Sequence, residues 1–211
     1  AGTEHIAKAC KDIGCKMVYI STDYVFDGRG VQPWKPDDER RPLNVYGQSK
    51  YLGELAVERW LEKFFIVRTA WVFGEAGGNF VKTMLKRGKT DRQISVVDDQ
   101  IGTPTYTCDL ARLLSDMVQS QRYGHYHATN EGGYISWYEF AREIFRQAGQ
   151  IYPEYNSVTV NPVSSDQYPM KAKRPNNSRL EKQKLIDSGF EPMPVWQDAL
   201  ARYIQEMEKR Q

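Results

Sequence analysis

Two short, uninterrupted apolar runs, Met17-Val18-Tyr19-Ile20 and Phe64-Phe65-Ile66-Val67, most restrict what this chain can fold into. Each is short and β-rich, and each gives way at once to polar, glycine-bearing chain, the pattern of strands covered on both faces in a parallel sheet. Between them a long loop, residues 22–44, leads to Leu52, Leu55, Ala56 and Trp60, whose spacing predicts a helix with that stripe turned inward. Strand, loop, helix, strand is the repeating unit of an α/β protein.

The chain opens on Ile6, Ala9, Cys10 and Ile13, a helical stripe with neither an initiator Met nor a strand before it. The expectation is therefore an α/β protein whose N-terminal βαβ part is absent. Beyond residue 90 the rhythm changes. Leu110, Leu113, Leu114 and Met117 predict a helix, and Ser136 with Glu139 forms a capping box ahead of Trp137, Phe140, Ala141 and Ile144, with Gly149 as the stop. An extended stretch from Ile151 to Pro175 follows. Ser178 with Glu181 then suggests a second capping box for a short helix ending at Gly189, and Trp196, Leu200, Tyr203, Ile204 and Met207 mark the last helix.

The fold class expected is thus α/β, a Rossmann-like parallel sheet with helices on both faces and a smaller mixed C-terminal substrate lobe. Residues 1–90 read as the C-terminal part of a dinucleotide-binding Rossmann domain. Residues 91–211 read mainly as a substrate-binding lobe, with some segments returning to the core.

An apolar content of 40% with 16 glycines places the chain among ordinary globular proteins and excludes disorder as its main state. Interspersed charges summing to +2 announce no face for phosphate neutralisation, which argues against nucleic acid. No apolar run exceeds four residues, against roughly 20 for a membrane span, so neither a span nor an export signal is read. Three cysteines without C-x-x-C spacing suggest neither a disulfide framework nor a zinc site, and fit a cytoplasmic location.

Tyr46 and Lys50, four residues apart, share one face of a helix starting near Asn44. A lysine cation there favours the phenolate, so the tyrosine can hand a proton to a carbonyl oxygen while a hydride reaches the carbon. A hydroxyl from Ser21 or Thr22 at the strand end could hold that oxygen. Ligands of open α/β sheets gather beyond the carboxyl ends of the strands, where Ser21-Thr22 and Thr69-Ala70-Trp71 both lie. The Tyr and Lys spacing alone is common on helix surfaces; its context makes it specific.

That context is Ser21-Thr22-Asp23-Tyr24-Val25-Phe26-Asp27-Gly28, Tyr46-Gly47-Gln48-Ser49-Lys50, Arg68-Thr69-Ala70-Trp71-Val72-Phe73-Gly74 and Gly102-Thr103-Pro104-Thr105. In order and spacing these resemble the extended short-chain dehydrogenase/reductases, and within them the dTDP-4-dehydrorhamnose reductase family, over nearly the whole chain. The resemblance implies NADPH-dependent reduction of the C4 ketone of a dTDP-4-keto-6-deoxy sugar, yielding dTDP-L-rhamnose for cell-surface polysaccharide. It implies Tyr46 as proton donor, Lys50 on the nicotinamide ribose and Thr22 near the reacting carbonyl. Ile20, Ser21, Tyr46, Lys50 and Thr69 would border the cofactor, and Thr22, Asp23, Trp71, Thr105 and Arg174 the dTDP-sugar.

NADH in place of NADPH, a Mg²⁺ requirement and a homodimer, the last two shown by some of the family at a dimer contact, stay open. The family's N-terminal glycine-rich dinucleotide motif does not occur in these residues. Two rivals share the resemblance: a non-catalytic regulatory relative like the beta subunit of methionine adenosyltransferase, and a nucleotide-sugar epimerase or dehydratase that retains NAD.

Lys171 and Lys173 read as a solvated face more than as diphosphate contacts. His125 and His127, on one face of a strand-like stretch without a third ligand, read as structural. Cys10 and Cys15, five apart and on different faces of a continuous helix, read with Cys108 as small apolar residues.

Overall fold

A computed structural model describes residues 2–167 and 174–209. In chain order the elements are α1 (Gly2–Asp12), β1 (Met17–Thr22), α2 (Val45–Trp60), β2 (Phe64–Thr69), β3 (Val72–Phe73), α3 (Phe80–Gly88), β4 (Gln93–Val97), β5 (Ile101–Gly102) and β6 (Thr105–Tyr106). They continue as α4 (Thr107–Gln119), β7 (Gly124–His127), β8 (Ile135–Ser136), α5 (Trp137–Ile151), β9 (Thr159–Val163), α6 (Gln183–Asp187) and α7 (Trp196–Glu208).

β1, β2 and β7 form a parallel sheet in that order, with Met17 opposite Phe64, Thr22 opposite Thr69 and Arg68 opposite His127. Phe65, Ile66 and Val67 are fully buried because the pleat sends them to two different covers. Phe65 and Val67 meet Leu110, Leu113 and Met117 of α4, while Ile66 meets Ala7 of α1 and Val57 of α2. The strands therefore read as continuous apolar runs, as a doubly covered parallel sheet requires.

A second core gathers Phe73, Tyr106, Phe140, Ile144, Trp196 and Tyr203 under α3, α5 and α7. Short strand pairs tie it together: β3 with β6 and β4 with β9 in parallel, β5 with β8 antiparallel. The stretch read as merely extended beyond Ile151 thus contributes a paired strand, β9.

Four local expectations are corrected. In α2 Leu52 and Leu55 face outward, and the buried positions are Gly47, Gly53, Glu54 and Val57. The sheet below presents Tyr19 and Arg68 to that face, which demand space and a counter-charge instead of leucine. In α1 Ile6, Ala9 and Ile13 are exposed, and Ala7 with Cys10 packs on α2. Gly149 does not stop α5, which continues to Ile151; it is small because Asn156 lies where a side chain would be. Ser178 caps no helix, α6 starting after Lys182 instead. The Ser136 and Glu139 capping box is present in full.

Candidate active site

Because Thr22 and Thr69 pair at the carboxyl ends of β1 and β2, the chain leaves the sheet there on two sides of one open cleft of about 430 Å³. Ile20, Ser21, Thr22 and Asp23 line it from the first strand, and Thr69 and Trp71 from the second. Tyr46 and Lys50 line it from the first turns of α2, and Arg174 reaches it from the C-terminal segment.

The start of α2 fixes the pair. Asn44 caps the helix through Oδ1, which accepts from Gly47 N at 2.8 Å. Gly47 must lack a side chain, since a Cβ there would stand 2.2 Å from Tyr24 O. The turn therefore lies tight against Tyr24, whose ring meets that of Tyr46 edge-on at 5.7 Å. Tyr46 remains 55% exposed, open to an incoming ligand. Lys50 is half-buried, and burial lowers its pKa despite the opposing pull of Glu54.

Asp23 is buried at the back of the cleft, where Thr22 Oγ1 donates to its Oδ1 at 2.9 Å. Its Oδ2 has no well-formed hydrogen bond among the described residues, although the Ser178 hydroxyl lies near. Burial raises its pKa to about 6, against the lowering effect of Ser178, Thr22 and the local backbone. A buried acceptor and a lysine ammonium on one cleft suit a ligand rich in hydroxyl groups.

An acid whose folded pKa is raised adds stability below its unfolded pKa of 3.8 and loses it as pH rises through about 6. Asp23→Asn is therefore expected to stabilise the fold by about 1–3 kcal/mol above pH ~7, and by nothing below pH ~4. Chemical denaturation of both forms at the two pH values checks this.

Trp71 adopts φ 52°, a left-handed conformation that costs a bulky residue strain. It is held there by Trp137, stacked at 3.7 Å, and by Gly102, where a Cβ would stand 2.8 Å from the Trp71 ring. The indole thereby forms a wall of the cleft.

Thr105, expected to touch substrate, is fully buried instead, its hydroxyl donating to Ala70 O at 2.6 Å and accepting from Thr69 at 3.0 Å. It sits behind Thr69. Lys171 and Lys173 fall outside the described residues. His125 pairs with Glu58 at 2.9 Å, and His127 is buried with Nδ1 near Glu181 O at 3.1 Å, both structural positions. Tyr24 and Trp137 also line the cleft; Tyr24 is signalled only by its place inside the Ser21–Gly28 motif, and Trp137 only as part of an apolar helical stripe, which marks packing and not a ligand. A second cavity of about 350 Å³ adjoins the first through Trp137 and Arg174 and carries Arg87, Phe80 and Met84.

The RmlD substrate binding domain matches residues 1–209 as a family. The dTDP-4-dehydrorhamnose reductase of Escherichia coli K12 is 36% identical over 213 residues, covering 97% of this chain and 70% of that protein. The chain belongs to the dTDP-4-dehydrorhamnose reductase family. The spore coat polysaccharide biosynthesis protein SpsK of Bacillus subtilis 168 is 40% identical over 205 residues, covering 97% of this chain and 69% of that protein. Among solved structures, the Bacillus anthracis reductase in complex with NADP superposes with a TM-score of 0.90 at 43% identity, covering 97% of this chain and 70% of that one. The Rossmann-like α/β fold read from the sequence is the fold of these family members. No helix among the described residues is long and apolar enough to cross a membrane.

Proposed function

We propose that this chain carries the site for NADPH-dependent reduction of the C4 ketone of dTDP-4-dehydro-L-rhamnose to dTDP-L-rhamnose, in the cytoplasm. The observation that carries the reading is that Tyr46, Lys50, Thr22 and Trp71, drawn from three separate segments, line one cleft. The named activity of its relatives and the NADP in a close structural neighbour support it.

When bound, NADPH supplies a hydride to the ketone carbon. Tyr46 gives its phenolic proton to the ketone oxygen, and the Lys50 ammonium favours the phenolate that remains. Lys50, with Ile20, Ser21 and Thr69, would hold the nicotinamide end. The Thr22 hydroxyl bears on the ketone oxygen, and the buried Asp23 carboxyl accepts from a sugar hydroxyl. Trp71 offers the sugar an apolar wall, and the adjoining cavity offers the nucleotide half apolar surface with the guanidiniums of Arg87 and Arg174.

The decisive experiment follows NADPH absorbance on addition of dTDP-4-dehydro-L-rhamnose, with the complete gene product and with these 211 residues side by side. Sugar-dependent consumption of NADPH is expected from the complete product. Retained oxidised NAD without that consumption would move the reading to an epimerase or dehydratase. Binding without turnover would move it to a regulatory relative.

A further inference from the structure

The Lys50 ammonium lies 4.2 Å from the centroid of the Tyr19 ring. It lines the cleft and has no hydrogen bond or ion pair among the described residues, its companion beneath being a ring face instead of a carboxylate. Tyr19 belongs to β1 and points toward α2, and its hydroxyl donates to Lys50 O at 3.3 Å. The helix leaves room for it at Gly53, where a Cβ would stand 2.0 Å from the Tyr19 hydroxyl oxygen. Strand and helix are thus notched together so that one aromatic ring lies under one cation.

The chemistry of this arrangement differs from that of a salt bridge. A carboxylate would take the ammonium's N–H donors and draw the charge away from a ligand. A ring face attracts a cation through its quadrupole and leaves donors unspent. It also offsets part of the desolvation cost of half-burying Lys50. Glu54, one helical turn on, is fully buried and bonded to Arg68 and Arg40, so its carboxylate is engaged elsewhere.

We propose that Tyr19 is a positioning residue for Lys50, its ring holding the ammonium at the cleft wall with donors free for the ribose hydroxyls of a nicotinamide cofactor. This rests on the role given to Lys50 above. It assigns a task to a residue that apolar patterning reads only as strand filler.

The test uses the complete gene product, with NADPH affinity by fluorescence titration and turnover measured in parallel. Tyr19→Phe keeps the ring and is expected to stay within about two-fold of the parent in both. Tyr19→Leu removes the ring and is expected to weaken NADPH binding by roughly 3- to 30-fold, the span between an exposed and a desolvated cation–π contact. Pentafluorophenylalanine at position 19 keeps the shape of Phe but reverses the ring's charge distribution, so it is expected to fall with the Leu variant. In a Lys50→Met background, Tyr19→Leu is expected to add no further loss.

A fluorinated ring that binds NADPH as well as Phe, or a Tyr19→Leu loss that persists in full without Lys50, overturns the inference while leaving the reductase reading standing. Unchanged binding and turnover in Lys50→Met itself would bring down that reading and the inference with it. The Phe and fluorinated pair keeps the test decisive if Tyr19→Leu folds poorly, because both fill the same space.

Discussion

Tyr46→Phe is expected to lower turnover by about 10²–10⁴-fold, the usual weight of a positioned proton donor, while NADPH affinity stays within about two-fold. The substitution is surgical. The Tyr46 ring meets Tyr24 edge-on at 5.7 Å, a contact that Phe retains, and the residue lines the cleft while 55% open to solvent. The helical turn is held by the Asn44 cap and the close approach of Gly47 to Tyr24 O, neither of which involves the phenol. Loss of turnover can therefore be read as loss of the proton, not of the fold. Rates at saturating sugar, with NADPH titrated separately, decide it; undiminished turnover would remove Tyr46 from the mechanism.

The sheet was legible because its strands announce themselves. Phe64, Phe65, Ile66 and Val67 are apolar in succession, β-rich and too few for a helix, which a strand covered on both faces accounts for. The candidate cleft was legible for a different reason, that strand ends and a helix start are topologically bound to meet, so Thr22, Thr69 and Tyr46 could be placed together without any distance.

What failed was the orientation of helices. Leucine at positions 52 and 55 outweighed glutamate at 54 in any apolar count, yet Glu54 faces inward because Arg68 stands on the strand below it. Periodicity measures apolarity and has no term for a buried charge that carries its partner. Cys10 and Cys15 show the same limit: five apart on a continuous helix they would diverge, but the chain reverses at Gly14, with φ 69°, and Cys15 N returns to Cys10 O at 3.0 Å. Ser178, whose spacing to Glu181 suggests a helix cap, instead lies by the Asp23 carboxyl, a contact across 155 residues that no local pattern encodes.

Arg68→Ala is expected to destabilise the protein by about 3–5 kcal/mol, the cost of removing one partner from a buried ion pair. Arg68 and Glu54 are 1% and 0% exposed, and they join in a two-pronged contact, Nε to Oε1 at 2.9 Å and Nη2 to Oε2 at 2.8 Å. The remaining nitrogen donates to Pro36 O at 2.7 Å, which ties the loop between β1 and α2 to β2. Burial alone would raise the Glu54 pKa, but Arg68 above all, with Ser21 and Arg40, outweighs it and holds the carboxyl below its ordinary value of 4.5. That contribution is present above pH ~4.5 and is lost as pH falls toward the depressed value.

Without Arg68, Glu54 keeps only Arg40 as an ion-pair partner among the described residues, and the Pro36 carbonyl loses the donor that ties it to β2. For a chain of this size the loss corresponds to a fall in melting temperature of roughly 6–20 °C. Replacing both partners, Glu54→Met with Arg68→Met, removes the uncompensated charge and is expected to recover most of that stability. Turnover is expected not to recover with it, because Glu54 sits one turn from Lys50 and Arg68 immediately precedes Thr69, so the pair fixes the two walls of the cleft against each other. Thermal unfolding and NADPH-dependent turnover of the single and double variants separate the two roles: full activity in the stable double variant would reduce the pair to a matter of folding alone.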